Sequence, residues 1–227
     1  MTVQSIGNIA QSCIRPPAVP FLAWPGVSHL RYATALALAN GVWFELVFAG
    51  CDFLTSRRAL RLHVNLPGEL GIPFIAPMTA FYMSMYLLFI AGPFILRTRR
   101  EFRAAIAMLA VSIAIAGVCF LLFPVELAYP SVPESELGIW GGLFHAADAL
   151  NLTYDLVPSL HVALTTGCVA VFASRASGGI SALLWSWAVG VALSTVLIHQ
   201  HHVVDVLSGW LLAIVSFRLV YKPLAAS

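Results

Sequence analysis

Charge is what this chain has least of. Of its 227 residues only 10% are Asp, Glu, Lys or Arg, and no Lys or Arg occurs between Arg103 and Arg175. So thin a supply excludes the wetted surface of a soluble globular domain. Cysteine is scarce too: Cys13, Cys51, Cys119 and Cys168 have neither paired nor ligand-like spacing. That pattern offers no disulfide framework and no thiolate metal site, and the four read as small hydrophobic fillers. No internal repeat and no low-complexity segment is present, so a single domain over 1–227 is expected. The N-terminus lacks the basic, apolar and small-residue order of a cleavable signal, and the first span is expected to stay as an anchor.

What is abundant is apolar surface: 60% of residues are hydrophobic and the mean hydropathy is +0.89, the signature of an integral membrane protein. Runs long enough to cross about 30 Å of hydrocarbon fall near 33–54, 73–96, 104–124, 157–173, 180–198 and 203–221. The expectation is an all-α polytopic bundle of about six transmembrane helices, with 33–221 as its core and 1–32 as an N-terminal cytoplasmic or interfacial segment. The fourth run, "VPSLHVALTTGCVAVFA", is short and carries a histidine, which leaves five spans plus a re-entrant piece as the alternative. Residues 17–28 are too short and proline-broken to cross.

Basic residues set the orientation. Arg15, Arg31, Arg97, Arg99, Arg100, Arg103, Arg175, Arg218 and Lys222 fall where even-numbered spans end and odd-numbered spans begin, while Arg57, Arg58 and Arg61 fall opposite. Both termini are therefore expected in the cytoplasm, with the site on the outer face of a bacterial inner membrane. The cluster "RTRREFR" is read as a topology determinant and not as a nucleic-acid surface. The longest polar interval, 125–156, forms an outer loop that ends in a short amphipathic piece, "IWGGLFHAADAL".

The stretch "STVLIHQHHVVDVLSGW" places costly polar groups at the start of the sixth span. His201 and Asp205 are four apart, so on a helix both fall on one face and the carboxylate can reach the imidazole. An aspartate that accepts the Nδ1 proton fixes the tautomer and turns the Nε2 lone pair outward as a nucleophile. His161 opens the fourth span. Spans four and six run parallel, so His161 and His201 should meet at one membrane face. Two helix N-termini beside them would suit an anion such as phosphate.

At these residues the chain resembles the type 2 phosphatidic acid phosphatase (PAP2) superfamily. "PSLH" at 158–161 and the spacing of Ser194, His201 and Asp205 look like its second and third signatures. "QHHVVD" together with "IPFIAPMTAFYMSMYLLF" is similar to the branch that includes bacterial membrane members and the inositolphosphorylceramide-synthase-like lipid phosphotransferases. The resemblance runs over about 70–215. It implies a lipid phosphatase or phosphotransferase that works through a phosphohistidine at His201, oriented by Asp205. His161 would protonate the leaving alkoxide, and Ser159 would help hold phosphate oxygens. It implies no cofactor and no metal, a lipid phosphate as substrate, and water or a lipid hydroxyl, such as that of a sphingolipid, as acceptor.

The first signature of that family, a lysine with Arg-Pro seven residues on, is missing here. The arginine after the signature serine is Thr195, and the glycine of the usual PSGH is Leu160. Fewer fixed cations weaken stabilisation of a phosphoryl transition state, and the same loss resembles the phosphotransferase branch, which implies headgroup transfer over plain hydrolysis. Arg57, Arg58 and Arg61 are expected to compensate, with Ser194 and His202 as further substrate contacts; His202 could also exchange roles with His201. Three competing readings stand beside this one. The His201–Asp205 pair could be a purely structural hydrogen bond. His199, His201, His202 and Asp205 could bind zinc. The polar cluster could line a transport pathway or serve a non-catalytic scaffold. His145 and Asp148 read as solvated, and Glu45, inside the first span, should be neutral, paired or turned to a cavity. The tyrosines, Tyr82 among them, read as packing or an interfacial belt.

Overall fold

The computed structural model describes residues 20–151 and 154–226. Arg15, Cys13 and most of the expected interfacial segment lie outside the described residues. The chain is all-helical, as expected. Its helices are α1 (Val27–Thr55), α2 (Met78–Met83), α3 (Met85–Ile95), α4 (Arg99–Leu122), α5 (Glu134–Leu137), α6 (Gly141–Leu150), α7 (Leu160–Ala173), α8 (Gly178–Leu197), α9 (Val203–Ser216) and α10 (Lys222–Ala226). Counting α2 with α3 and α9 through α10, five helices among the described residues are long and apolar enough to cross a bilayer. This is an integral membrane protein. The outer faces of those helices carry exposed Leu38, Leu46, Ile90, Leu183, Leu207 and Leu211, residues that lipid tails solvate and water does not.

Local chemistry sets the helix boundaries. The second span starts at Met78 and not at residue 73, because Pro73 and Pro77 deny amide donors to the segment between them. Thr98 caps α4, its hydroxyl accepting from the Glu101 amide at 3.2 Å. Between α2 and α3 the helix loosens at Ser84, whose hydroxyl donates to the Phe81 carbonyl and accepts from the Trp187 indole.

The weakest of the six expected spans proves to be the centre of the bundle. At 14 residues α7 is about 21 Å long, short of a full crossing. Every residue from Val162 to Val169 is nonetheless buried, against α3, α4, α8 and α9. Protein surrounds this helix, so its polar start faces no lipid.

Loop hydrogen bonds bring six helix termini to one end. Leu62 exchanges amide bonds with the strip around Val125, donating to Pro124 at 3.0 Å and accepting from Glu126 at 3.0 Å. The Tyr154 amide meets Asp52 Oδ1 at 3.2 Å, and Ile75 meets the Leu197 carbonyl at 2.8 Å. At the other end Arg97 bonds the Pro20 carbonyl, Arg99 bonds Ser28, and Arg175 pairs with Glu101. Arg57, Arg58 and Arg61 follow the C-terminus of α1 and so belong to the first end, together with the histidines.

Candidate active site

The link between α8 and α9 aims His201. Helix α8 closes with a Schellman motif: the His199 amide bonds the Val196 carbonyl at 3.0 Å, and the Gln200 amide bonds that of Thr195 at 2.9 Å. The reversing position usually holds glycine. Here it is His199, left-handed at φ 56°, with Nε2 donating to the Ile72 carbonyl at 2.9 Å and its ring stacked on Tyr129. The His201 amide also reaches Thr195, at 3.1 Å, so the chain turns sharply before α9 begins.

Asp205 then serves two donors through one oxygen. Oδ2 accepts the His202 amide at 2.8 Å, which caps α9, and faces His201 Nδ1 at 3.4 Å, a long contact. Asp205 is fully buried and His201 nearly so. With Nδ1 turned to the carboxylate, the Nε2 lone pair of His201 is the free one.

His161 is placed by the opening of α7. Ser159 caps that helix, its hydroxyl accepting from the Val162 amide at 3.3 Å, and the Ser159 amide bonds the Asp205 carbonyl at 3.0 Å. This bond ties the two histidine-bearing segments together. Gly209 allows the approach: a Cβ there would stand 2.5 Å from the Ser159 carbonyl oxygen. His161 stacks on Tyr82 with ring centroids 3.7 Å apart, and its Nε2 donates to the Tyr82 carbonyl at 2.8 Å, next to the Ser84 interruption.

Both histidines line one cavity of about 630 Å³. Its polar end carries a directed hydrogen-bond chain. Tyr82 donates to Asn151 at 2.7 Å, Asn151 to Gln200 at 2.6 Å, and Gln200 to Asp148 at 3.2 Å. Asp155 also lines this end, buried, with neither carboxyl oxygen hydrogen-bonded. Burial pushes its carboxyl up to about 8, nearby Asp52 adds to the rise, and the Asp52 main chain offsets only part of it. The rest of the cavity is an apolar shaft past Phe48, Met85, Leu88 and Leu164 to Phe172, with Asn40, Gly41 and Glu45 of α1 along one side. No Lys or Arg is among the described lining residues.

The other residues singled out in the sequence are placed differently. His202 is wholly buried and uses both ring nitrogens: Nε2 accepts from the Ala128 amide at 3.0 Å, which puts the proton on Nδ1, and Nδ1 donates to Glu69 at 3.0 Å. It lies behind the site and has no nitrogen left for substrate or for exchange with His201. Ser194 is buried and spends its hydroxyl on the Val191 carbonyl. Arg57 lies over the Phe53 ring, Arg58 bonds the Leu121 carbonyl, and Arg61 bonds the Thr55 carbonyl and covers Tyr154. None of the three arginines lines the cavity. The four side chains of the zinc reading do not converge, since His199 and His202 point their nitrogens at separate protein partners. Glu45 faces the cavity. Asp148 and His145, read as solvated, are both exposed; Asp148 also borders the cavity, and His145 pairs with Glu134 at 3.1 Å.

Glu69 is the residue that sequence reasoning missed. It is buried and accepts from the Leu66 and Val203 amides, at 2.7 and 2.8 Å, as well as from His202. Burial alone would raise its carboxyl, but those amides and His202 outweigh it and hold the carboxyl below its usual range. Its neighbour Tyr129 is pushed up to about 12 by burial and by the Glu69 charge. Glu69 thus occupies the N-terminus of α9 that was expected to cradle phosphate, and α7 alone remains for that role. Asn151 and Gln200 also went unmarked, and Tyr82 was read only as packing or belt. The only signal was an acid inside the turn "NLPGEL" and a polar residue between two histidines.

A polytopic helix bundle with two histidines and an aspartate gathered at one end defines the class. The comparisons give it a family likeness: a family model described as the PAP2 superfamily matches residues 130–225. The match takes in α5 through α10, and therefore His161, His201 and Asp205, and leaves α1 to α4 outside. No curated protein and no solved structure matches the chain.

Proposed function

We propose that the protein is a PAP2-type membrane enzyme that opens a lipid phosphoester through a phosphohistidine. The observation that carries this reading is that His161 and His201 face one cavity while Asp205 stands behind His201. His201 Nε2 attacks phosphorus, the bond to the lipid oxygen breaks, and that alkoxide takes a proton from protonated His161. With Nε2 of His161 held by the Tyr82 carbonyl, Nδ1 carries the transferable proton. Water or a lipid hydroxyl then attacks phosphorus, gives its proton to His161, and the P–N bond breaks. The apolar shaft suits acyl chains.

The missing cations match the phosphotransferase branch that the chain resembles. A lining without Lys or Arg leaves the open amides at the start of α7 and the imidazolium to meet the phosphoryl charge. A hydroxyl acceptor, such as that of a sphingolipid, fits this as it fits the phosphotransferase branch. The basic residues at the opposite end support a cytoplasmic location for that end, and an outer-face site in a bacterial inner membrane.

The test is turnover of a panel of labelled lipid phosphates by detergent-purified protein, with and without hydroxyl lipids, comparing the native chain with His201→Ala. Released phosphate or a new phospholipid is expected from the native protein only. Equal turnover by a folded His201→Ala protein would falsify the assignment of the nucleophile.

A further inference from the structure

The first turn of α7 is the positive end of a helix dipole, so it opposes the protonated imidazole that a proton donor at His161 must become. Among the described residues, one side chain and its own carbonyl supply both partners of that ring. The Tyr82 carbonyl accepts from Nε2 at 2.8 Å, and the phenol ring lies nearly parallel, 3.7 Å away between centroids and 15° between planes. A ring face attracts a cation, as a carbonyl oxygen does. Tyr82 is only 2% exposed, and its hydroxyl is fixed in turn. The carboxylate of Asp148 can only accept, so the Gln200 amide nitrogen faces it at 3.2 Å and the Gln200 oxygen faces Asn151. Asn151 then gives its nitrogen to Gln200, at 2.6 Å, and its oxygen to the Tyr82 hydroxyl, at 2.7 Å. Gln200 is buried and adjoins His201 in the turn that bonds Thr195. The chain thus runs from the platform of one histidine to the neighbour of the other.

We infer that Tyr82 is a positioning residue for the proton donor: its ring holds His161, and its hydroxyl, through Asn151 and Gln200, keeps that platform in register with His201. The inference rests on the phosphohistidine reading and adds to it a residue of α2, outside the matched region 130–225. It has a selective consequence. When His201 Nε2 bonds to phosphorus and the P–O bond breaks, a departing alkoxide must take a proton, whereas a nitrophenolate leaves with the electron pair alone. Loss of the Tyr82 side chain should therefore slow the first kind of ester and spare the second.

Full-length protein in mixed micelles is mixed rapidly with a saturating amount of one of two probes, and the first turnover is followed. Phosphatidic acid releases diacylglycerol, and dodecyl para-nitrophenyl phosphate releases nitrophenolate. In Tyr82→Leu the diacylglycerol step should slow by at least about tenfold, part of the ~10²–10⁴ that a general acid supplies, while the nitrophenolate step stays within about threefold of native. Tyr82→Phe keeps the ring and loses the hydroxyl, so its selective loss should be smaller. Asn151→Leu should match it, and the double variant should be no worse than either. Misfolded protein lowers both steps alike, so the ratio of the two probes is independent of the folded fraction. Equal losses on both probes overturn the inference and leave Tyr82 a packing residue. No loss on either probe overturns it as well. Two further variants isolate the reading beneath it: His161→Ala should reproduce the selective loss, and His201→Ala should abolish both steps. Native turnover in His201→Ala, or no product from either probe with the native chain, sinks the phosphohistidine reading itself, whatever the Tyr82 variants do.

Discussion

His201 faces Asp205 across one helical turn, Nδ1 to Oδ2 at 3.4 Å, while the same oxygen holds the His202 amide at 2.8 Å. One carboxylate therefore both caps a helix and orients an imidazole, and substitution can separate the two duties. In Asp205→Asn the amide oxygen still accepts the His202 amide, so thermal unfolding in detergent should shift little. The imidazole loses its anionic partner, and turnover should fall by about 10²–10⁴. A variant with native turnover would reduce the pair to a structural hydrogen bond.

Glu69 should govern folding more than chemistry. Its buried carboxylate satisfies the Leu66 and Val203 amides and His202 Nδ1. Glu69→Ala leaves the buried His202 donor unpaired, at about 1–3 kcal/mol before relaxation, and the two part-buried amides of Leu66 and Val203 add less. Glu69→Gln keeps one accepting oxygen and should cost less. Because folding depresses this carboxyl, its contribution is present above the ordinary glutamate range near pH ~4.3 and is lost as pH falls through the lower folded value. Denaturation midpoints for the two variants at pH 7 give the order, and identical midpoints would refute it.

Asp155 should act in the opposite sense. Folding raises its carboxyl to about 8, so between the unfolded value near ~3.9 and that point the folded state binds the extra proton. Its contribution is fully present below the unfolded value and is lost as pH rises through the folded one. Stability of the native protein should therefore decline from pH ~4 towards pH 8, and Asp155→Asn should flatten the decline. Parallel pH profiles for the two proteins would count against a buried, unpaired carboxyl.

Gly209 is the hinge of site assembly. A methyl group there would meet the Ser159 carbonyl oxygen at 2.5 Å and Val162 at 3.2 Å, and a backbone atom cannot step aside. Gly209→Ala should push α9 from α7, cost about 1–3 kcal/mol and separate the two histidines. Turnover should fall although no catalytic group has changed. Crosslinking between cysteines placed on α7 and α9 reads the displacement directly.

His199 tests the turn. Glycine is at ease in the left-handed region where this histidine sits, at φ 56°. His199→Gly should thus forfeit the Ile72 bond and the Tyr129 stack but keep the reversal, whereas His199→Val adds about 1–2 kcal/mol of backbone strain. The valine variant should be the less stable of the two, by thermal melting.

Much of the helical plan was legible, because membrane spans write themselves as long apolar runs and proline, threonine and glycine mark their ends. The i,i+4 spacing of His201 and Asp205 was legible for the same local reason, and parallel spans four and six sufficed to bring His161 to the same end. The role of α7 was hidden. A short run with a histidine looks marginal as a lipid-facing helix, and only its encirclement by other helices makes it central. Glu69 was hidden because its partners are 133 and 134 residues away, at His202 and Val203, and no local pattern encodes a contact of that range. The arginines misled for the converse reason. Topology could place them at the proper end, but not show that carbonyls and rings there already engage them.

By itself the sequence determined an all-helical chain at home in lipid, its order of spans, and two histidines and an aspartate brought to one end. Hydropathy and helical period are properties of neighbours along the chain, and these follow from neighbours alone. Tertiary structure decided which polar groups remain free: it sealed His202 behind Glu69, spent the arginines elsewhere, and turned an unpartnered Asp155 into the cavity. Whether a side chain is available depends on what packs against it, and in this protein those partners come from distant parts of the chain.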